Sequence, residues 1–182
     1  KIHDIIDAEV EFPPHNMWFD IIGERDIDLS GKEACIYNYR KLVDILKNRK
    51  QNQEKKPVYR TAMLGWDNAA RRENNWVTFY EFSLKSYYDW LTINIEEARK
   101  KFKKNERFMF INAWNEWAEG TYLEPDKKYG YAYLNTTSKA LMDLPFKDDF
   151  EVVRNDHNRV NEDDIKPRIA MQIHLYYTET ID

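Results

Sequence analysis

The stretch RFMFINAWNEWAEGTYLEP, from Arg107 to Pro125, decides how the rest of the sequence is interpreted. It begins with an apolar run at residues 108–111, which is typical of a buried strand. Asn, Trp and Glu residues follow the run directly, and Gly120 ends this polar segment. Two carboxylates and two indoles at the end of a buried strand are costly unless they have partners or a function. The stretch therefore predicts a functional site rather than part of a core.

Composition limits the class of protein. The chain has 182 residues, which is enough for one domain with a sizeable core. Its net charge is −4 and its basic residues are not clustered, which argues against a nucleic-acid partner. No run of about 18 apolar residues occurs, so the sequence predicts no membrane span. Cys35 is the single cysteine and the four histidines are scattered, so we expect no disulfide, no metal site and no cofactor.

Alternating secondary-structure signals predict an α/β fold. Strand-like runs lie at residues 8–12, 58–64 and 107–113, with a short extended segment at 76–82. Helical patterns lie at residues 39–47, after a candidate capping box at Ser30 and Glu33, and at 83–104 and 129–143. On the second helix, apolar side chains at positions 88, 91, 95, 98 and 102 predict the buried stripe. Strands that alternate with long helices favour right-handed crossovers and a parallel sheet.

The predicted elements divide the chain into three parts. Residues 1–145 form the principal domain, and residues 146–167 are charged, lack periodicity and are interpreted as a linker. Residues 168–182 open with another strand-like run and are interpreted as the start of a following domain. Three strands cannot close a barrel of eight. The principal domain is therefore either an open α/β sheet or the last part of a barrel whose first part is absent.

Polar and aromatic residues follow each of the three main predicted strands. In parallel α/β sheets, binding and catalytic sites lie at the carboxyl ends of the strands. We therefore predict a site whose candidate residues are Glu11, His15, Trp66, Asp67, Arg71, Asn115, Glu116, Trp117 and Glu119. Two alternatives remain open. Glu11 and His15 suit solvated loop positions, and Asp67 with Asn68 suits an Asx turn.

Glu116 and Glu119 are the candidate catalytic residues. Their spacing of three puts them on opposite faces of a strand but side by side on a helical turn. Joint chemistry therefore requires the backbone to leave strand geometry near Trp117. Two carboxylates in one pocket can divide their roles, so that one holds a proton and the other stays ionised, as glycosidic bond chemistry requires. The alternative is a solvated helix face, which is the usual setting of surface carboxylates.

The motif at residues 115–121, NEWAEGT, followed by LEP at 123–125, resembles the signature of the family-99 glycoside hydrolases. It is more similar still to the WbsX-type proteins of bacterial surface-polysaccharide gene clusters. Residues 11–15, EFPPH, and 65–68, GWDN, support the resemblance, which spans about residues 5–144. It implies the C-terminal part of a (β/α)8 TIM-like barrel and a retaining reaction. By position, Glu116 would deprotonate the sugar 2-hydroxyl, and Glu119 would act as general acid and then as general base.

The resemblance also implies a biological setting. It indicates glycosyl transfer onto an oligosaccharide or polysaccharide during assembly of bacterial cell-surface polysaccharide, such as O-antigen or capsule. The expected location is the bacterial cytoplasm, with membrane association through the parent protein as an alternative. Residues 169–177 resemble the start of a rhamnan-synthesis-type domain. The alternative functions are an endo-acting hydrolase of the family-99 type, a non-catalytic glycan-binding module, and a chain that is inactive without the rest of its cleft.

Overall fold

A computed structural model describes residues 5–15, 17, 34–49 and 54–147. All of them fall within the first of the two units into which the chain divides, Lys1–Phe150. The candidate capping box at Ser30 and Glu33 lies outside the described residues. So do the predicted strand at 168–177 and all of the predicted linker beyond residue 147.

The described residues contain both strands and helices in alternation. The strands are β1 (Glu9–Val10), β2 (Ala34–Asn38), β3 (Val58–Tyr59), β4 (Thr61–Met63), β5 (Trp76–Tyr80), β6 (Phe110–Asn112), β7 (Asn115–Glu116) and β8 (Thr121–Tyr122). The helices are α1 (Tyr39–Lys47), α2 (Leu84–Lys101) and α3 (Ala132–Leu141). This order confirms the predicted α/β class.

The main strands pair in parallel, as the sequence predicts. β1 pairs with β3, β4 pairs with β6, and β2 pairs with β5. β3 and β4 form one extended run that is interrupted at Arg60. The run pairs with β1 before Arg60 and with β6 after it. The backbone bonds continue across the interruption, because the Phe110 N–H donates to the Arg60 carbonyl at 3.0 Å. The carboxyl ends of β4 and β6 consequently lie side by side.

β2 is a strand that the sequence analysis did not predict. All five of its residues pair with β5, from Ala34 opposite Trp76 to Asn38 opposite Tyr80. Ile36 and Tyr37 are both buried although they are adjacent, so the strand lacks the alternation that reveals a half-exposed strand. Helix α1 begins directly after it, with the Asn38 side chain accepting a hydrogen bond from the Lys41 N–H at 3.0 Å.

The predicted buried stripe is correct for α1 and only partly correct for α2, where Tyr88 and Ile95 are half-buried against the core. On α1, the expected residues Tyr39, Leu42, Val43 and Leu46 are all buried. On α2, the buried residues are Ser86, Tyr87, Trp90, Leu91 and Asn94, so only Leu91 of the predicted stripe is among them. The buried face of α2 includes amphipathic and polar side chains, some of which have hydrogen-bond partners on other elements. The Tyr87 hydroxyl, for example, lies 3.0 Å from the Thr137 hydroxyl of α3, which a count of aliphatic residues does not reveal.

Six charged side chains form an ion-pair cluster beside the parallel strands. Its members are Glu11, Arg49, Glu54, Arg60, Glu97 and Lys101. Arg60 lies at the centre, with nitrogens 2.6 Å from Glu54 and 2.8 Å from Glu97. Burial opposes the charge of Arg60, but Glu11 and Glu97 outweigh it and raise the pKa of the guanidinium. The carboxylates of the cluster therefore compensate the buried charge of Arg60, the residue at which the β3–β4 run is interrupted.

Thr121 joins the ends of β4 and β6 to the segment that follows them. Its side chain has no exposed surface. The hydroxyl accepts a hydrogen bond from the Leu64 N–H at 3.3 Å and donates one to the Asn112 carbonyl. One hydroxyl thus satisfies backbone groups at the ends of both strands, where the ladder no longer provides partners.

Replacement of Glu97 by glutamine should flatten the pH dependence of stability. Burial alone would raise the pKa of Glu97, but hydrogen bonds from Lys101 and Arg60 lower it below the ordinary value of 4.5. The stabilisation is therefore present above pH 4.5 and is lost as the pH falls through the lower folded value. Urea unfolding at several pH values measures the change. Glu96→Gln, at an exposed neighbouring position on α2, is the matched control and should retain the wild-type dependence.

Replacement of Thr121 by valine should lower the free energy of unfolding by about 1–3 kcal/mol, because it leaves two buried backbone groups without a partner. Thr121→Ser is the control, since it keeps the hydroxyl and loses only a methyl group, at a cost of about 1 kcal/mol. Urea unfolding of both variants distinguishes the two effects. Equal losses in the two variants would show that the hydroxyl is not what holds the strand ends together.

Candidate functional site

A short antiparallel hairpin follows β6 and carries both candidate glutamates. Asn115 of β7 lies opposite Tyr122 of β8, and Glu116 lies opposite Thr121. We call residues 115–122 the acidic hairpin. The Leu123 N–H donates to the Ala113 and Trp114 carbonyls, at 3.0 and 2.9 Å, and so closes the base of the hairpin. The hairpin therefore lies at the carboxyl ends of β4 and β6, where the sequence analysis places the site.

The backbone leaves strand geometry where joint chemistry of the glutamates requires it. Trp117–Glu119 form a single 3₁₀ turn, which ends at Gly120 with a left-handed φ of 66°. The Asp67 N–H donates to the Glu119 carbonyl at 2.8 Å, so the turn lies against the segment that follows β4. A Cβ atom on Gly120 would lie 3.2 Å from the Asp67 nitrogen, which makes glycine the residue that fits this approach.

Glu116 and Glu119 converge on a single atom of Arg71. The Arg71 Nη1 atom lies 3.3 Å from Glu119 Oε1 and 4.0 Å from Glu116 Oε1. The separation of the two carboxylate oxygens therefore cannot exceed the sum of these distances. The Glu119 side chain is 15% exposed, whereas Glu116 is 43% exposed and Arg71 46%. A guanidinium between two carboxylates offsets their mutual repulsion, and solvent reaches all three groups.

The turn after β4 determines where Arg71 lies. Asp67 Oδ1 accepts a hydrogen bond from the Ala69 N–H at 2.9 Å, which is the Asx turn that the sequence analysis held as an alternative. Asn68 Oδ1 accepts from the Val77 N–H at 2.7 Å, and its carbonyl accepts from the Arg71 N–H at 3.2 Å. The Asp67 side chain thus shapes the turn, and the turn directs Arg71 towards the acidic hairpin.

His15 and Trp66 lie together near the same strand ends. Their ring centroids are 5.5 Å apart, with the rings edge to face. Trp66 is 2% exposed, and its indole nitrogen has no hydrogen-bond partner among the described residues. The Asn112 side chain donates to the Pro13 carbonyl at 2.9 Å and so ties the segment of His15 to the end of β6.

Glu11 lies in the ion-pair cluster and not at the acidic hairpin. Its carboxylate is 2.9 Å from Arg49 and 3.5 Å from Arg60. The side chain is 7% exposed, so the solvated-loop alternative does not describe Glu11. His15, in contrast, is exposed. The structure therefore brings together two groups of candidates: Arg71 with Glu116 and Glu119, and His15 with Trp66.

The sequence analysis missed the aromatic support of Trp117. The Trp117 and Tyr122 rings are stacked, with centroids 3.8 Å apart and an angle of 17° between their planes. The indole N–H donates to Glu124 Oε2 at 2.7 Å. The Tyr122 hydroxyl donates to Asp126 Oδ2, and burial together with Asp126 raises the pKa of Tyr122 to about 12. The hairpin register that brings these rings together rests on two residue pairs, which is too short a ladder to recognise in sequence.

Other surface features of the described residues do not involve this site. Two grooves, of about 410 and 390 Å³, lie between α1 and α2, and none of the candidate residues lines them. None of the helices in the described ranges combines the length and the apolar character that a bilayer span demands. Within the same ranges, no group of three or more His, Cys, Asp and Glu side chains is arranged to hold a metal ion.

Comparison with known proteins identifies the class to which this fold and site belong. The sequence model of the family described as glycosyltransferase WbsX matches residues 2–137, so the chain belongs to the WbsX family. This confirms the resemblance seen in the acidic hairpin and the two supporting motifs. The chain is also similar to the protein WxcX from two strains of Xanthomonas campestris pv. campestris, with 31% identity over 180 residues. The match covers 97% of this chain and 23% of each relative. No solved structure matches the chain.

Replacement of Gly120 by alanine should destabilise the chain more than replacement of Gly130. Both glycines have a positive φ, 66° and 54°, so both alanines incur the left-handed backbone cost of about 1–2 kcal/mol. Only at Gly120 does the added Cβ meet the Asp67 backbone, whereas nothing lies within 4 Å at Gly130. Urea unfolding of the two variants isolates this contact. Equal destabilisation would contradict the close approach of the acidic hairpin to the turn after β4.

Proposed function

We propose that this chain carries the catalytic glutamates of an enzyme that acts at a glycosidic bond with retention of configuration. The reaction is glycosyl transfer onto an oligosaccharide or polysaccharide in the assembly of bacterial cell-surface polysaccharide. The observation that carries the proposal is the convergence of Glu116 and Glu119 on Arg71 at the carboxyl ends of parallel strands. Membership of the WbsX glycosyltransferase family supports the class of reaction.

The two glutamates take different steps in the proposed reaction. Glu116, the more exposed of the pair, removes the proton from the sugar 2-hydroxyl. The resulting oxygen attacks the anomeric carbon and forms a 1,2-anhydro sugar, while Glu119 protonates the departing oxygen. Glu119 then removes a proton from the acceptor hydroxyl as that oxygen opens the strained ring, and Glu116 returns its proton to the 2-oxygen. Two displacements at the same carbon give net retention.

Arg71 fits this sequence of proton transfers. The proposed reaction passes through states in which the number of charged carboxylates changes. A guanidinium within 4.0 Å of both carboxylate groups offsets the repulsion between them whenever both are ionised. Arg71 therefore keeps the pair together in the resting site, while Glu116 remains 43% exposed and Glu119 15% exposed.

The fold and the location are part of the proposal. We propose that β1, the β3–β4 run and β6 are neighbouring strands of a (β/α)8 barrel, since they pair in parallel and alternate with helices. The chain spans about a quarter of the length of the curated relatives it matches, so the activity of the whole protein is part of the proposal. We propose the bacterial cytoplasm as the location of the reaction.

A non-catalytic glycan-binding module is the second candidate function. The observation that favours it is the exposure of two indoles beside the glutamates, since Trp114 and Trp117 are each 47% exposed. Exposed flat rings suit the apolar face of a sugar whether or not a reaction follows. Turnover therefore separates the two functions, and binding alone does not.

Glu116→Gln and Glu119→Gln should each lower the rate of glycosyl transfer by roughly 10²–10⁴-fold, because an amide cannot exchange the proton that each step requires. Both variants should still bind the glycan, since the side-chain volume is unchanged. Oligosaccharides released from bacterial O-antigen and capsule serve as substrates for the full-length protein. NMR of the anomeric protons reports both the rate and the stereochemistry of the product.

Glu106→Gln is the matched control, because Glu106 is exposed and lies before β6, outside the acidic hairpin. It should transfer at the wild-type rate. Inverted product, or full activity in both glutamine variants, would contradict the proposed mechanism. Binding without turnover in the wild type would favour the glycan-binding module, and release of free sugar in place of transfer would favour the hydrolase.

A further inference from the structure

We propose that Trp117 is a one-sided stacking platform for a single pyranose ring beside Glu116, and that Glu124 is the residue that positions it. The inference rests on the proposed carbohydrate function and extends it to a defined subsite. The class of ligand is a pyranoside with a continuous apolar C–H face. Glu124 was not a candidate site residue in the sequence, and its role follows from the contacts of the indole.

One face of the Trp117 indole is covered and the other is open. The Tyr122 ring lies nearly parallel to it, with centroids 3.8 Å apart, and stacks on one face. The side chain nevertheless remains 47% exposed. The exposed area therefore belongs to the opposite face and the outer edge, which is the geometry that a sugar ring needs for stacking.

The orientation of the indole is fixed at its polar edge. The Trp117 N–H donates to Glu124 Oε2 at 2.7 Å, and a carboxylate is the strongest acceptor available for this bond. An exposed aromatic side chain usually loses rotational freedom when a ligand binds, which weakens binding. A stacked neighbour and a hydrogen bond remove this freedom in advance, so the platform is preorganised.

Further contacts fix the Tyr122 ring on which Trp117 stacks. The Tyr122 hydroxyl donates to Asp126 Oδ2 at 2.7 Å. Tyr133 of α3 meets the Tyr122 ring edge to face, with centroids 5.7 Å apart. The Asp126 carboxylate also accepts the Tyr129 N–H, so the support is tied to the backbone before α3. Trp117 therefore rests on a rigid stack rather than on a mobile loop side chain.

The position of the platform determines what it binds. Trp117 directly follows Glu116 and begins the turn that ends at Glu119. The neighbouring Arg71, Glu116 and Glu119 are partly exposed charges, which would be costly to cover with a dry protein surface. A sugar supplies both an apolar face for the indole and hydroxyl groups for the charges. A sugar ring therefore fits this surface better than a protein partner does.

Glycan binding by four variants of the full chain tests the platform, each in the Glu116→Gln background so that binding is measured without turnover. The probe is the best binder from an array of purified bacterial O-polysaccharides and capsular polysaccharides.

Trp117→Ala should raise the Kd by about tenfold. Glu124→Leu should raise it several-fold, whereas Glu124→Gln should leave it close to the reference, since the amide oxygen still accepts the indole N–H. Trp114→Ala, with equal exposure but no ring contact in the described part of the chain, should change it less than Trp117→Ala.

The indole N–H resonance of Trp117 reports the hydrogen bond to Glu124 independently of glycan binding. It should shift in Glu124→Leu and stay in place in Glu124→Gln. Three results would overturn the platform: no bound glycan, unchanged binding in Trp117→Ala, or an equal loss in Trp114→Ala. Absence of turnover in the wild type, with binding that still depends on Trp117 and Glu124, would overturn the proposed catalysis and retain the platform.

Discussion

The buried hydroxyl of Thr121 connects the parallel strands to the acidic hairpin, and the geometry of the site depends on this connection. It bonds to Leu64 after β4 and to Asn112 at the end of β6, so the hairpin cannot shift relative to either strand without breaking a buried bond. Gly120 then allows the hairpin to approach the Asp67 backbone closely. The Thr121 hydroxyl and the absence of a Cβ atom at Gly120 thus help to position the acidic hairpin and its two glutamates.

Charged residues have two distinct uses in this structure. In the ion-pair cluster around Arg60, each charge is compensated and little solvent enters, so the charges hold the interrupted strand in place. At the acidic hairpin, Arg71 lies near two carboxylates that keep contact with solvent. Its Nη1 atom is 3.3 Å from Glu119 and 4.0 Å from Glu116, which is farther than the 2.6 and 2.8 Å that separate Arg60 from Glu54 and Glu97. The first arrangement suits stability, and the second leaves oxygen atoms available to a substrate. Glu11 belongs to the first group although its sequence position suggested the second.

The sequence reveals those features that depend on local patterns. The α/β class, the parallel pairing and the stripe of α1 follow from periodicity, and the structure confirms them. The 3₁₀ turn at Trp117 provides the departure from strand geometry that joint chemistry of the two glutamates requires. β2 was missed because a strand buried on both faces shows no alternation. The buried face of α2 was only partly recovered because its aromatic and polar members, such as Tyr87 with its partner Thr137, do not contribute to an aliphatic pattern. The pairing of Trp117 with Tyr122 and Glu124 depends on a turn whose shape no local pattern specifies.

Backbone hydrogen bonds hold the 3₁₀ turn of the acidic hairpin, Trp117–Glu119, in place. The Glu119 carbonyl accepts a hydrogen bond from the Asp67 N–H, and Glu116 pairs with Thr121 in the backbone ladder of the hairpin. The carboxylate groups themselves carry little of the scaffold. Evolution can therefore exchange either acid for another side chain without rebuilding the loop. A variant that lacks either carboxylate can therefore keep the same architecture.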